Sequence, residues 1–380
     1  MNVASALVSG NEPLPALAEA ALAEALARTG ASHVKGVLLF LTPDFSRQAQ
    51  QTVTAVARAA QCTEVAGGIA AGVFSDRGWV IDRPAAAVMV FVGDFSLDSL
   101  DHRAGEAARH ALLSYSGGSF PYQWGDATKR RFGGSFSGSV GRNEGAAWQR
   151  SRLTTQCGVR LPGACVAVDV SSGWRLLDEP RPIDGSRAYD LLSLGGETAL
   201  DSLIAALPPD LRAQEPLPLT ALCALLVDEA GGAGGAVGSG QSLAAGSWHS
   251  VAILSANAAD RSLTLAEGTM PGQRLAWAIR RPQSAEEDMR ASVGRLAAVA
   301  ASPVAGVVFS CIGRGPYFHG GEDRELDCLR QRFPGLPLLG VYGTGQIAPC
   351  PAGGNLSLHN AVVTALISNT VRRADVQSQS

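Results

Sequence analysis

The chain has 380 residues, 46% of them hydrophobic and 17% charged, which is enough apolar material for two or three domains. Its 31 basic and 34 acidic residues nearly balance, so nothing in the charge points to a polyanion such as nucleic acid. Lysine occurs only at Lys35 and Lys129, neither in the glycine-rich setting of a P-loop, which excludes that nucleotide site.

The N-terminus, Met1 to Leu7, has no basic segment followed by an apolar one, and no secretory signal is expected. No apolar run reaches the ~18 residues of a membrane-spanning helix. A run such as Ala85–Val92, bounded by Pro84 and Gly93, has the length of a strand. The cysteines (Cys62, Cys157, Cys165, Cys223, Cys311, Cys328 and Cys350) are odd in number, and they include no C-x-x-C pair and no zinc spacing with histidine. Reduced, mostly buried thiols in a soluble cytoplasmic protein are expected, with no metal and no membrane contact.

Leu14, Leu17, Ala18, Ala21, Leu22, Ala25 and Leu26 recur at helical spacing, and Gly30 supplies a stop. Gly36–Leu41 is wholly apolar and ends at Thr42-Pro43-Asp44, the pattern of a strand buried on both faces. Ser46 is expected to cap a helix over about 47–61, followed by strands at 64–71 and Ala85–Val92 with a turn at Asp76–Gly78. Gly163–Val170 and Gly173–Leu177 read as consecutive strands around a turn at Ser171-Ser172-Gly173. A helix near 195–207, an apolar run Leu217–Leu226 and strands at Ser247–Ser255 and Leu275–Arg280 follow. Between them, residues 231–240 have the composition of a flexible loop inserted in the second unit. Then come a helix at 285–300, a strand at Ala305–Cys311, a helix at 322–332, and strands at Pro337–Tyr342 and Ala361–Ile367.

Gly36–Val92 and Gly306–Ile367 share the order strand, helix, strand, glycine loop, strand, which predicts an internal duplication. The expected fold class is α/β with mixed sheets, built from two related units. The domains are placed at 1–187 and 188–380.

Gly343-Thr344-Gly345-Gln346-Ile347-Ala348 matches G-x-G-x-x-A after a strand, but Pro349, Pro351 and Gly353-Gly354 deny the helix that a dinucleotide site requires. Gly133 to Gly138 has the wrong order for a nucleophile elbow, and no H-E-x-x-H occurs, so no catalytic residues are assigned and no enzyme is expected. The polar turn Phe309–Arg324 gathers Cys311, Arg314, Tyr317, His319, Glu322 and Asp323 among glycines. Arg314 there is suited to clamp a carboxylate, with Gly313 and Gly315 exposing backbone donors. An ordinary strand-to-helix turn, with Arg314 paired to Glu322 or Asp323, explains the same residues. Cys311 reads as a thiolate activated by Arg314 or as an inert packed thiol. His359 lines the same cleft or bonds a backbone group, and Trp79, Trp124, Trp148 and Trp174 read as core or turn anchors.

Val307–Gly315, Pro337–Pro349 and Leu358-His359-Asn360 closely resemble the C-terminal FIST domain. Val65-Ala66-Gly67-Gly68, Gly133-Gly134-Ser135 and Arg160–Val168 followed by Gly173-Trp174 look like the N-terminal FIST domain. The resemblance runs from about 30 to 370. It implies an intracellular, bacterial signal-transduction sensor that binds a small molecule such as an amino acid. Such a sensor acts in trans on a signalling protein such as a histidine kinase or diguanylate cyclase. The expected ligand contacts, at the 311–324 turn, the glycine turn and His359, are Cys311, Arg314, Gly315, Tyr317, His319, Glu322, Gly343, Gly345, Gln346 and His359. Some members of the family bind haem and sense nitric oxide, for which His319, His359 and Cys311 are the axial candidates. A non-catalytic adaptor is a further reading. The family's glycine motif commonly carries Glu where this chain has Gln346, which keeps hydrogen bonding and removes charge.

Overall fold

A run of buried residues at the extreme N-terminus opens the fold: β1 (Val3–Ser9) pairs antiparallel with β6 (Ala85–Phe91) along its whole length. In the computed structural model the described residues are 2–31, 33–100, 111–125, 129–138, 146–227, 248–300, 302–351 and 353–370. The glycine-rich stretch 231–240 lies outside them. After β1 come α1 (Pro15–Thr29), β2 (Gly36–Leu41), α2 (Ala49–Ala60), β3 (Val65–Ile69) and the hairpin β4 (Gly72–Ser75) and β5 (Gly78–Ile81). Proline at the start and Gly30 at φ 66° delimit α1, with the Gly30 N–H donating to the Leu26 carbonyl as the sequence predicts. Ser46 is not the cap of α2. Its hydroxyl donates to the Pro43 carbonyl at 2.6 Å, closing a separate 3₁₀ turn over Pro43–Arg47, and the helix begins two residues beyond that turn.

The later half repeats this pattern. It is built from β7 (Ala164–Ser171), α3 (Pro282–Val299), β8 (Ala305–Cys311), α4 (Arg324–Arg332), β9 (Leu338–Gly343), the pair β10 (Gly345–Pro349) and β11 (Asn355–Leu358), and β12 (Val362–Asn369). The first four strands of one sheet run β1-β6-β2-β3 and those of the other β7-β12-β8-β9. In each, the third and fourth are parallel and the others antiparallel. The duplication read from pattern is therefore a duplication of hydrogen-bonded topology, and it extends to the first strand of each copy. The copies also interlock. The hairpin β4–β5 follows β3 in the chain but pairs with β9 (Val73 opposite Val341). Its counterpart β10 pairs with the strand Arg131–Ser135 of a third sheet, which also contains Leu112–Ser116 and Gln156–Arg160.

By its contacts the chain divides into two compact units, Met1–Ser171 with Met289–Ser380, and Ser172–Asp288. The second is thus inserted, in chain order, between β7 and β8 of the later copy. The crossings differ from the single boundary at Arg187 because residues up to 187 belong to the inserted unit's own sheet. Trp174–Leu176 pairs with Arg274–Arg280, and Arg181–Arg187 pairs with Asp190–Leu194. For the same reason the strands on either side of Ser171-Ser172-Gly173 are not a hairpin: one pairs with β12, the other with Arg274–Arg280. The inserted unit packs Leu194, Leu203, Leu263, Leu275 and Trp277 into a core of its own, with the indole N–H of Trp277 donating to the Ser202 hydroxyl at 2.7 Å.

Candidate functional site

Strand alternation sorts the residues of β8 that lead into the polar turn onto two faces. Successive side chains of a strand point to opposite sides. Val308 and Ser310 therefore line a cavity with Met289 of α3 and Leu326 and Leu329 of α4, under the helices. Phe309 points the other way, its ring 6.5 Å from Phe132 and 6.3 Å from Tyr115 in the third sheet. Cys311 continues on that second face.

On the helix face, Arg314 is fully buried and its hydrogen bonds are internal. Its Nε donates to Glu325 Oε1 at 2.7 Å, Nη1 donates to the Ser171 carbonyl at 2.7 Å, and Nη2 donates to the Ser171 hydroxyl at 2.9 Å. The planar fork of arginine suits this bridge between a helix and the end of β7. The partner is Glu325, rather than Glu322 or Asp323. Glu322 is exposed and faces Arg324 at 3.4 Å. Asp323 caps α4, its Oδ1 accepting from the Leu326 N–H at 2.9 Å, and its Oδ2 accepts from the Tyr342 hydroxyl. The buried His319 ring sets Nε2 3.4 Å from Glu325 Oε1, while Nδ1 and Glu325 Oε2 have no hydrogen-bond partner. Gly315 packs close to Tyr342, and Tyr317 is exposed, donating its hydroxyl to Asp82 Oδ2 at 2.7 Å.

Burial pushes the Asp323 carboxyl above its ordinary value of 3.8, and the hydrogen bond from Tyr342 only partly opposes it. Burial, together with the Asp323 charge, holds the Tyr342 phenol well above its own. The linkage follows from the sign. The folded state keeps the Asp323 proton to higher pH than the unfolded chain, so this group's contribution declines as pH rises from the unfolded pKa to the folded one, and is flat above. Asp323→Asn retains the oxygen that caps α4. Urea unfolding of both proteins between about pH 4 and about pH 7 should show wild type losing stability relative to the variant as pH increases. A relative gain would contradict the assignment.

On the other face, Gly343 and Gly345 bracket the turn from β9 into β10. A side-chain carbon at Gly343 would lie 2.4 Å from the Ser135 carbonyl oxygen, so only glycine allows the two backbones this close. Gln346 follows, fully buried, with Oε1 accepting from the Ala361 N–H at 3.4 Å. The N–H fixes which end of the amide faces it, and Nε2 is left buried without a partner. Cys311 is buried nearby in the chain's hydrogen-bond order: its N–H donates to the Ala361 carbonyl, and its Sγ lies 3.8 Å from Asn360 Oδ1. The guanidinium that the sequence offered as activator of this thiol is engaged with Glu325 and Ser171. His359 is exposed, with Nδ1 3.2 Å from the Thr344 carbonyl oxygen.

The predicted contacts thus form two sets. Arg314, Gly315, His319 and Glu322 stay with α4 and Tyr342, with Tyr317 at the surface. Cys311, Gly343, Gly345, Gln346 and His359 gather at the turn into β10. An axial haem ligand needs a ring nitrogen or sulfur open to a porphyrin. His319 is enclosed against Glu325 and Phe318, and Cys311 is packed, so neither fits; His359 is open at Nε2. Ser135 and Asn360, which contact this second set, lie in segments that carry the family resemblance but are not among the expected ligand contacts, because their partners lie far along the chain.

The FIST C domain model matches residues 199–349, from the first residue of the helix Ala199–Ala206 to the last of β10. The chain carries a FIST C domain. The FIST C match includes every predicted contact residue except His359, and it does not reach the segments that resemble the N-terminal FIST domain. An uncharacterized protein of Mycobacterium tuberculosis is 29% identical over 233 residues, covering 60% of this chain and 57% of that protein. An uncharacterized protein of Mycobacterium bovis is 30% identical over the same span and shares. The alignment thus spans little more than half the length of these curated relatives. No helix among the described residues is long and apolar enough to cross a membrane.

Proposed function

We propose that this FIST protein is a sensory module whose small ligand is held at the turn from β9 into β10, with the Gln346 amide donating to a ligand oxygen. The observation that carries the reading is Gln346 Nε2, fully buried and without an acceptor. An unmet buried donor costs about 1–3 kcal/mol, and a ligand carbonyl or carboxylate at that position would recover it. The tight Gly343–Ser135 approach gives the turn a fixed backbone, and Cys311, Asn360 and His359 supply further polar neighbours. A ligand shifts the module between states only to the extent that it binds one of them better, and the output passes to a signalling partner.

The test is a thermal-shift and calorimetric panel of amino acids and small carboxylates on wild type and Gln346→Met. Methionine fills about the same space with no donor; it removes the unmet N–H but also the long 3.4 Å acceptor for the Ala361 N–H, so the two effects on the stability of the free variant oppose each other. Binding of the responding compound should fall by about tenfold or more, the worth of one charge-assisted hydrogen bond. No stabilisation of wild type by any compound, or equal stabilisation of both proteins, would remove the proposal.

A further inference from the structure

At the opposite end of β8 from Cys311 lies a cavity of about 630 Å3. Six residue steps of strand separate the two ends, about 20 Å, so this cavity is distinct from the turn into β10. Its walls come from the start of β8, the connection from α4 to β9, and the residue Phe95 beyond β6. Phe95, Val304, Phe333 and Leu336 are the main apolar surfaces, and Phe95 and Leu336 are buried. The cavity is open to solvent along its rim, and its volume falls in the range of small-molecule pockets, about 300–1,000 Å3.

Three features give the cavity a chemical preference. Asn2 and Asn369, at the start of β1 and the end of β12, bring amide groups to its edge. Arg332, in the last turn of α4, brings a guanidinium whose Cζ stands 5.5 Å from the Phe333 ring centroid. That guanidinium is solvent-exposed, and no carboxylate among the described residues pairs with it. The frame is preorganised: Pro303, Pro334 and Pro337 fix their backbone φ angles, and Gly335 turns the chain at φ 74°.

We infer that this cavity is a second binding site, for a monocarboxylate with an apolar body, whose carboxylate is received by Arg332 and whose body lies on Phe95, Phe333 and Leu336. The inference stands apart from the Gln346 reading, since it uses none of the same residues. An arginine fork held over an aromatic ring offers two parallel N–H groups to a carboxylate, and the apolar walls reward removal of the rest of the molecule from water.

The probe is 1-anilinonaphthalene-8-sulfonate, which joins an aromatic body to one anionic group, followed by fluorescence on the full chain. Saturable binding at one site is expected, with displacement by octanoate. Arg332→Gln should weaken displacement by octanoate about tenfold while leaving displacement by 1-octanol unchanged. Asn369→Trp, at an exposed rim position, should fill the cavity and abolish probe binding with thermal stability retained. The inference fails if the probe does not saturate, if Arg332→Gln changes octanoate and 1-octanol alike, or if Asn369→Trp binds the probe as wild type does.

Discussion

Arg314→Leu is expected to destabilise the protein by about 3–5 kcal/mol, the usual cost of breaking a buried ion pair from one side. The variant leaves the Glu325 carboxylate enclosed without its cation, beside a His319 ring that is also enclosed. It also withdraws the two donors that hold Ser171, the last residue of β7. Removing both charges together should be far milder, because apolar side chains of similar volume often replace a buried pair at little cost. The double variant Arg314→Leu/Glu325→Leu should therefore recover about 2 kcal/mol or more relative to the sum of the single changes, measured by urea unfolding as a double-mutant cycle. Arg314→Lys should remain destabilised, since one ammonium cannot span Glu325 and both oxygens of Ser171. A cost below about 1 kcal/mol for Arg314→Leu, or strict additivity in the cycle, would show that the pair is not the tie between α4 and β7.

Gly67→Ala should be about as damaging, costing about 3 kcal/mol or more, for a backbone reason. Gly67 sits in β3 at φ 147°, opposite Leu39 of the parallel strand β2. A side-chain carbon there would lie 1.8 Å from the Leu39 carbonyl oxygen and 3.1 Å from the Trp148 indole nitrogen. No rotamer relieves that clash, because the obstacle is backbone, so the two strands must separate or the φ must change. Gly68→Ala is a useful comparison. That position has no φ strain, and an added carbon meets the Tyr115 ring at 2.3 Å with the Ala146 carbonyl at 2.8 Å, so part of the obstruction is side chain. If Gly67→Ala unfolds at the wild-type denaturant concentration, the parallel pairing of β2 with β3 at this register is not what fixes the residue.

The segments legible in advance were those whose signal is local. Gly36–Leu41 and Ala305–Cys311 are apolar at every position or nearly so, and each is wholly buried in the middle of its sheet. The α1 stripe of Ala18, Ala21, Leu22 and Ala25 is the buried face of that helix. Leu112–Ser116, Arg131–Ser135 and Gln156–Arg160 were not read as strands, because serine, glycine and arginine make up much of them. They are strands because their neighbours supply the hydrogen bonds, as where Gly134 pairs with Gln346, far along the chain.

The candidate site divides in the same way. That residues 311–324 form a polar turn after a buried strand is written locally, and so is the close backbone approach implied by Gly343 and Gly345. Which of those polar groups is free to meet a ligand is not local. Arg314 and Gln346 look equally available in the sequence, yet one is spent on Glu325 and Ser171 while the other keeps an unmet N–H.

By itself the sequence determined the wholly apolar strands and the α1 stripe, the repeated order of strands and helices, and the C-terminal part of the resemblance, which the FIST C domain match upholds. Those depend on spacing along one stretch of chain. The tertiary structure alone decided that 172–288 interrupts the later copy, that the hairpin of one copy completes the sheet of the other, and that Arg314 is spent on Glu325 and Ser171 while Gln346 keeps a buried N–H without a partner. Each of these is settled by hydrogen-bond and side-chain partners far apart in the chain, and a buried polar group takes its role from whichever partner the fold delivers.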